Sequence, residues 1–493
     1  MNITQNPSWF IIDLIADWIL LIVAVDVLAL ILLLYLERYD PRTFISWIIL
    51  LICLPPVGFI LYMYLGRSLY TRRQFMPKNI TDRELMAVND YHRDMLQEDM
   101  AAKVFDDTTM RLAKTVADAG GWSYSYGNHI LPFTEGRDKM DAMYDDLRRA
   151  RKTILMEYYI IRDDRRGNEL MEILTQKVRE GVEVRLLTDA FGIGKGPKMG
   201  IRNFVKAGGH YAMFHSGVIL FLNPKKNNRN HRKIAIIDGE VGYCGGMNIG
   251  DEYQGEGPLG HWRDASVRIE GPGVLPLIVR FSADWQYACK KDPLRPVSDY
   301  LAQNMSEYDD GDRLQLVCGG PDTYPDNPVQ LQYLAMITSA RNRLYLTTPY
   351  LIPDDSIMTA LSNSARLGVD VRILIPNKKD HIFMFWNNQT YANKLLGSGV
   401  KVYRYNNGFI HQKMVLVDDV CVSIGSANLD YRSLSLNFES NLMVYSSSVC
   451  TWYADQFLKD VDDSTPYTHE QYLSNRLVER MRLAVSRMFR FLS

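Results

Sequence analysis

Cysteine is scarce and scattered. The six residues, Cys53, Cys244, Cys289, Cys318, Cys421 and Cys450, form no Cys-x-x-Cys pair. That pattern offers neither a disulfide framework nor a thiolate zinc site, and suits small core hydrophobes in a reducing compartment. An excess of either charge is also missing: 56 Lys and Arg face 57 Asp and Glu, a formal net charge of −1, so no global field attracts nucleic acid. Metal-ligand spacing is absent around His92, His129, His210, His215, His261, His381 and His469. The amino end, from Met1 to Asn6, has no basic side chain, unlike the start of a cleaved signal peptide.

What the chain does have at its start is apolar length. Residues 18–36 carry Asp26 as their one charge and residues 44–65 carry none, each run being close to the ~20 residues that cross a bilayer. These runs predict a membrane hairpin in residues 1–70, with spans at about 15–36 and 44–65. Asp26 is costly there unless it faces a partner helix, and Pro55-Pro56 predicts a kink. Arg67, Arg72, Arg73, Lys78 and Arg83 follow the second run, against Arg38 and Arg42 in the turn. The basic bias places the large remainder on the cytoplasmic side of a multi-pass cell-membrane protein.

Two strings in that remainder match. His231, Lys233 and Asp238 recur as His411, Lys413 and Asp418, each set followed at the same offset by a small-residue turn and an asparagine, Gly245-Gly246-Met247-Asn248 and Gly425-Ser426-Ala427-Asn428. The run from Lys233 to Ile237 and that from Lys413 to Val417 are short, apolar and closed by an acidic turn, the signature of a buried strand entering a hairpin. Positions i and i+2 of a strand share a face, so each imidazole lies beside an ammonium. An imidazole attacks phosphorus or moves protons near neutral pH, while ammonium and amide groups hold the non-bridging oxygens. Two imidazoles divide the labour of nucleophile and general acid/base, and the chemistry needs no metal or cofactor. Asp238 and Asp418 belong to the motif, but their place at the strand end suits hairpin support at least as much as chemistry.

This constellation resembles the phospholipase D superfamily and is most similar to bacterial cardiolipin synthases. The resemblance runs through Glu157-Tyr158-Tyr159-Ile160, Arg229-Asn230-His231-Arg232-Lys233, Trp262-Arg263-Asp264, Thr348-Pro349-Tyr350, Asn428-Leu429-Asp430-Tyr431-Arg432-Ser433 and Asn437-Phe438-Glu439. It implies an α/β chain of two phospholipase D-like α/β/α sandwich domains with pseudo-twofold symmetry, preceded by the two transmembrane helices. It implies that His231 and His411 are nucleophile and general acid/base, in an order left open. Lys233, Lys413, Asn248 and Asn428 would bind the phosphoryl group, and Asp264 and Glu439 would orient the histidines. The implied reaction joins two phosphatidylglycerol molecules into cardiolipin with loss of glycerol, at a membrane of anionic lipids. A hydrolase or another phosphatidyltransferase fits the same motifs. A membrane-tethered nuclease is disfavoured by the neutral charge balance, and an idle lipid-binding scaffold by retention of both complete motifs.

The halves share an internal plan. An apolar strand from Thr153, a helix, and a second strand after Gly181-Val182-Glu183-Val184-Arg185 are matched by a strand from Leu344 and one after Gly368-Val369-Asp370-Val371-Arg372. Alternating strand and helix predicts a parallel or mixed sheet covered by helices. We therefore expect a connector at 71–103, domains at 104–300 and 301–470, and a basic amphipathic helix at 471–493. The last could lie on an anionic leaflet or pack on the core. Residues 192–198 fail the phosphate-loop order and suit a basic loop near membrane or substrate. Residues 214–226 join an apolar run to Lys225 and Lys226, which fits either an anionic lipid contact or an ordinary core strand. His381, beside Lys378, Lys379 and Asp380, is a candidate for the substrate channel.

Overall fold

The computed structural model describes residues 82–120, 123–214, 228–302, 308, 311–323, 327–474, 479 and 482–483, and before them only residues 18, 23–24, 27–28, 48–52 and 58. The chain divides into two compact units, residues 1–71 with 217–227, and residues 72–216 with 228–493. In the first, the described residues are all helical. Most of the expected spans 15–36 and 44–65 lie outside the described residues, as do 215–227 and most of 471–493. Among the described residues no helix is long and apolar enough to cross a membrane.

The second unit is built twice, after two lead-in helices, α1 (Asp82–Ala102) and α2 (Asp107–Gly120). The first repeat contains β1 (Tyr124–Glu135), α3 (Gly136–Arg149), β2 (Thr153–Tyr158), α4 (Arg165–Arg179), β3 (Glu183–Asp189), α5 (Lys198–Lys206), β4 (His210–Phe214), β5 (Lys233–Ile237), β6 (Val241–Gly245), β7 (Trp262–Glu270) and α6 (Val274–Ala288). The second contains β8 (Asp312–Gly319), α7 (Pro328–Ser339), β9 (Arg343–Thr347), α8 (Asp355–Arg366), β10 (Asp370–Pro376), α9 (Ile382–Leu396) and β11 (Lys401–Tyr405). It continues through β12 (Phe409–Ile410), β13 (Met414–Val417), β14 (Cys421–Gly425), α10 (Tyr431–Ser435), β15 (Glu439–Tyr445), α11 (Ser447–Asp462), β16 (Ser464–Pro466) and α12 (His469–Leu473).

Read outward from the junction of β1 with β8, the strand orders correspond: β1-β7-β6-β5-β2-β3-β4 on one side and β8-β15-β14-β13-β9-β10-β11 on the other. Within each repeat the three outer strands named last are mutually parallel, as crossover helices require. The repeats are not separate bodies. β1 and β8 pair antiparallel through Tyr124 with Gln315 and Ser125 with Leu314, which merges the two into one sheet.

Burial follows the strand period. On β5, Ile234 and Ile236 enter a core shared by both repeats, whereas Ala235 and Ile237 enter a core of the first repeat that Phe409 of the second joins. On β13, Met414 and Leu416 enter the shared core, and Val415 and Val417 a core of the second repeat. Covered on both faces, these strands have no polar side to show, which is why they read as unbroken apolar runs. Phe281 and Trp285 of α6 and Tyr453 and Phe457 of α11 fill the shared core, where each large side chain contributes about 1.5–3 kcal/mol of burial. The 71–103 segment does more than connect. α1 buries Met95 and Leu96 in the second-repeat core, and its Asp99 accepts hydrogen bonds from Tyr124 at 2.7 Å and Arg313 at 3.0 Å.

Candidate active site

Each motif is a hairpin anchored at one end and open at the other. Asp238 and Asp418 open the two turns at φ 54° and 51°, a left-handed conformation that aspartate tolerates. The Asp238 carboxylate accepts the backbone N–H groups of Arg151, Lys152 and Thr153 at 2.7, 2.7 and 2.9 Å. Asp418 does the same with Arg341, Asn342 and Arg343 at 3.2, 2.9 and 2.9 Å. The two aspartates thus tie each hairpin to the start of β2 or β9. The length of β5 or β13, about 3.3 Å per residue, separates them from the histidines. Grouped with the catalytic set from the motif, they are not brought to the site, because a strand carries its two ends apart.

At the open ends the repeats exchange partners. His231 Nδ1 lies 2.9 Å from Oε2 of Glu439 on β15, and His411 Nδ1 lies 2.7 Å from Oδ2 of Asp264 on β7. The backbone repeats the exchange: the His231 N–H donates to Phe438 O at 2.9 Å, and the His411 N–H to Arg263 O at 2.7 Å. Each imidazole is therefore positioned by the other half of the chain. With Nδ1–H donated to a carboxylate, Nε2 is the atom left for chemistry, as a lone pair in a nucleophile and as an N–H in a general acid. Tyr159 packs edge-on against the His231 ring at 4.9 Å, and Trp262 lies against His411 at 5.1 Å.

Lys233 and Lys413 are buried beside these rings. Lys233 Nζ donates to His231 O at 2.5 Å, whereas Lys413 Nζ sits 2.7 and 3.1 Å from the two ring nitrogens of His411. Burial takes Lys233 down to about 7 and Lys413 to about 8, against the pull of Glu439 and Asp264. It takes His231 to about 4 against Glu439, and lowers His411 with help from Lys413. Burial alone would raise Glu439 and Asp264. The adjoining His231 and Lys233 hold Glu439 below the usual range, and Lys413 and His411 do so for Asp264. The buried site thus sets two lysines, whose charge burial disfavours, against two ionised carboxylates, and an added phosphodiester anion would favour the charged form of the lysines.

Asn248 and Asn428 follow β6 and β14 at matching places. The Asn248 side-chain oxygen accepts the Ile160 N–H at 3.3 Å, and Oδ1 of Asn428 is buried with no hydrogen-bond partner among the described residues. Several supporting residues escaped the motif reading. Ser426 and Asn437 both donate to the Glu439 carboxylate. The counterpart of Ser426 is Gly246, where a Cβ would come 2.3 Å from Asp264 Oδ1. Arg232, between His231 and Lys233, is buried and donates to Asp284 at 2.6 Å, Glu439 O at 3.2 Å and Gly319 O at 3.3 Å. Within the polar, basic approach Arg229-Asn230-His231-Arg232-Lys233 nothing marked Arg232 as the buried one, and its burial demands the partners it has. Of the other candidates, the 192–195 stretch forms a single 3₁₀ turn before α5, and His381 is exposed beside the Tyr350 ring. Cys244, Cys421 and Cys450 are buried, free core residues.

A repeated α/β fold with paired histidines across its centre defines an enzyme of the phospholipase D superfamily. The family model described as "Cardiolipin synthase, PLD-like domain" matches residues 143–270 and 333–461, and the chain belongs to that family. It is 38% identical over 366 residues to the major cardiolipin synthase ClsA of Bacillus subtilis, covering 74% of this chain and 75% of that one. It is 37% identical over 364 residues to cardiolipin synthase 2 of Staphylococcus epidermidis, covering 73% and 74%. With cardiolipin synthase 2 of Bacillus anthracis the identity is 38% over 429 residues, 87% of this chain and 82% of the relative. Among solved structures, a phosphatidylserine synthase of Haemophilus influenzae superposes with a TM-score of 0.58 at 14% identity, covering 78% of this chain and all of that one; the likeness is one of fold.

Proposed function

We propose that this enzyme joins two phosphatidylglycerol molecules into cardiolipin and glycerol through a phosphatidyl-histidine intermediate. The observation that carries the reading is the crossed pair, His231 with Glu439 and His411 with Asp264, inside a family of cardiolipin synthases. Nε2 of one histidine attacks phosphorus and the bond to the glycerol oxygen breaks, that oxygen taking a proton from the other histidine. The second histidine then removes the proton from the primary hydroxyl of another phosphatidylglycerol. The resulting alkoxide attacks phosphorus, the P–N bond breaks, and cardiolipin leaves. Lys233, Lys413, Asn248 and Asn428 hold the non-bridging oxygens as charge builds.

In this reading residues 1–70 anchor the enzyme in the cell membrane through spans 15–36 and 44–65, with the repeats at 104–300 and 301–470 on the cytoplasmic side. Anchoring suits a reaction whose donor, acceptor and product all reside in the bilayer, since it raises their effective concentration. The test is to incubate detergent-purified protein with phosphatidylglycerol and EDTA and to follow lipids and glycerol by mass spectrometry. Cardiolipin with matching glycerol is expected; phosphatidic acid alone would replace transferase by hydrolase. Acid quenching in the first turnover should yield a peptide carrying a phosphatidyl group on His231 or His411.

A further inference from the structure

Two loops stand beside the histidines and share a composition that the phosphoryl chemistry does not use. One follows β3. Asp189, the last residue of that strand, accepts the Asn230 N–H at 2.9 Å with one carboxylate oxygen and the Phe191 and Gly192 N–H groups at 2.9 and 3.2 Å with the other. A single side chain thereby holds both the approach to His231 and the loop that carries Phe191. Phe191 is 68% exposed and Met199, on α5, 64%. Around them Lys195, Lys198, Arg202 and Lys206 are all exposed, and residues 190–206 contain no Asp or Glu.

The other loop follows β10, the counterpart of β3. It presents Ile382, 63% exposed, next to exposed Lys378 and Lys379. Lys378 Nζ donates across to Leu259 O of the first repeat at 2.8 Å, and the one acid of the loop, Asp380, accepts the Tyr350 hydroxyl. Both loops leave the carboxyl ends of parallel strands, the edge at which Tyr158 of β2 is paired with Lys233 and Thr347 of β9 with Met414 next to Lys413. Between the first loop and the site lies Arg229, its guanidinium 4.4 Å over the Phe191 ring and two residues before His231. Leu367, another exposed apolar residue, lies at the opposite end of β10, after α8, and single exposures of that kind are ordinary.

We infer that this rim, Phe191 and Met199 with their lysines on one side and Ile382 with Lys378 and Lys379 on the other, seats on an anionic lipid bilayer and delivers headgroups to the histidines. Exposed aromatic and aliphatic side chains on lysine-rich segments match the interfacial layer of such a bilayer, where apolar tips enter the acyl boundary and ammonium groups meet phosphates. Arg229 continues the path, a cation for the phosphate lying on a ring that faces the chains. The inference rests on the lipid-substrate reading above and adds the face of the repeats that meets the membrane.

The test compares full-length wild type with F191S/M199S, I382S and K195E/K198E, using long-chain phosphatidylglycerol in vesicles and dihexanoyl phosphatidylglycerol dissolved as monomer. The rim variants should lose about tenfold or more in kcat/KM on vesicles and stay within about twofold of wild type on the monomer. Equal activity on vesicles, or an equal fall on both substrates, overturns the inference. A second readout is independent of turnover. Hydroxyl-radical oxidation of Met199 should be suppressed when the full chain is reconstituted in phosphatidylglycerol bilayers and not in phosphatidylcholine bilayers. Undiminished oxidation in the anionic bilayer refutes the rim. Protection without any product would leave the rim standing and reject the transferase reading.

Discussion

His231 and Glu439 stand 2.9 Å apart although 208 residues separate them, and His411 reaches Asp264 across 147 residues. The exchange means that neither repeat positions its histidine by itself. Each repeat supplies an imidazole and the carboxylate that orients the other one.

Removing one charge from either pair should therefore silence the site without unfolding it. E439Q and D264N are expected to lower kcat by about 100-fold or more, the scale of a lost acid–base contribution. Lipid-product assays beside circular dichroism would show the loss with the fold retained; activity within a few-fold of wild type would contradict the exchange.

The motif aspartates should behave in the opposite way. D238A or D418A leaves three backbone N–H groups without their acceptor, at a cost of about 1–3 kcal/mol. Denaturant melts should show that loss, while kcat per folded molecule remains near wild type.

Gly246 offers a steric test of Asp264. In G246A the added Cβ meets Asp264 Oδ1 at 2.3 Å, so the carboxylate is displaced from the position in which its Oδ2 meets His411. We expect kcat to fall by about tenfold or more with little change in KM, since the loss lies in general acid–base positioning rather than binding. Unchanged kcat would mean that the carboxylate moves without consequence.

The pH profile follows from the buried lysines. Burial pushes Lys233 and Lys413 down to about 7 and about 8, so raising the pH through that window removes the ammonium charges proposed to bind phosphate, and kcat/KM should fall. Lowering the pH through about 4 protonates His231, and activity falls again. A bound phosphodiester favours the charged lysines. The basic limb of kcat should therefore lie at higher pH than that of kcat/KM, as paired rate profiles would show.

Arg232 and Asp284 form an ion pair with both side chains almost wholly buried. R232M leaves Asp284 with Arg280 at 2.6 Å as its remaining guanidinium partner and takes the donor from Glu439 O and Gly319 O, so it should cost about 1–3 kcal/mol, whereas R232M/D284L, which also removes the partner of Arg280, should be no more stable than R232M. Thermal and denaturant unfolding of the single and double variants decides the matter.

Much of this was legible in order of residues. The doubled His-Lys-Asp strings, the unbroken apolar runs of β5 and β13 and the matched strand–helix–strand blocks are local patterns, and local patterns survive being read one window at a time. The same reading placed Asp264 and Glu439 near histidines by resemblance.

Tertiary structure decided the rest. That β1 pairs with β8, so that two repeats become one sheet with one shared core, depends on contacts without a local signal. That Asp238 and Asp418 hold strand starts while Ser426, Asn437 and Arg232 hold Glu439 depends on which end of a strand faces which neighbour. By itself the sequence determined which groups are present and their spacing along the chain. The partner of each histidine was set by packing, because the residues that meet across the centre are brought there by burial of apolar faces and carry no mark of one another in their own stretches of sequence.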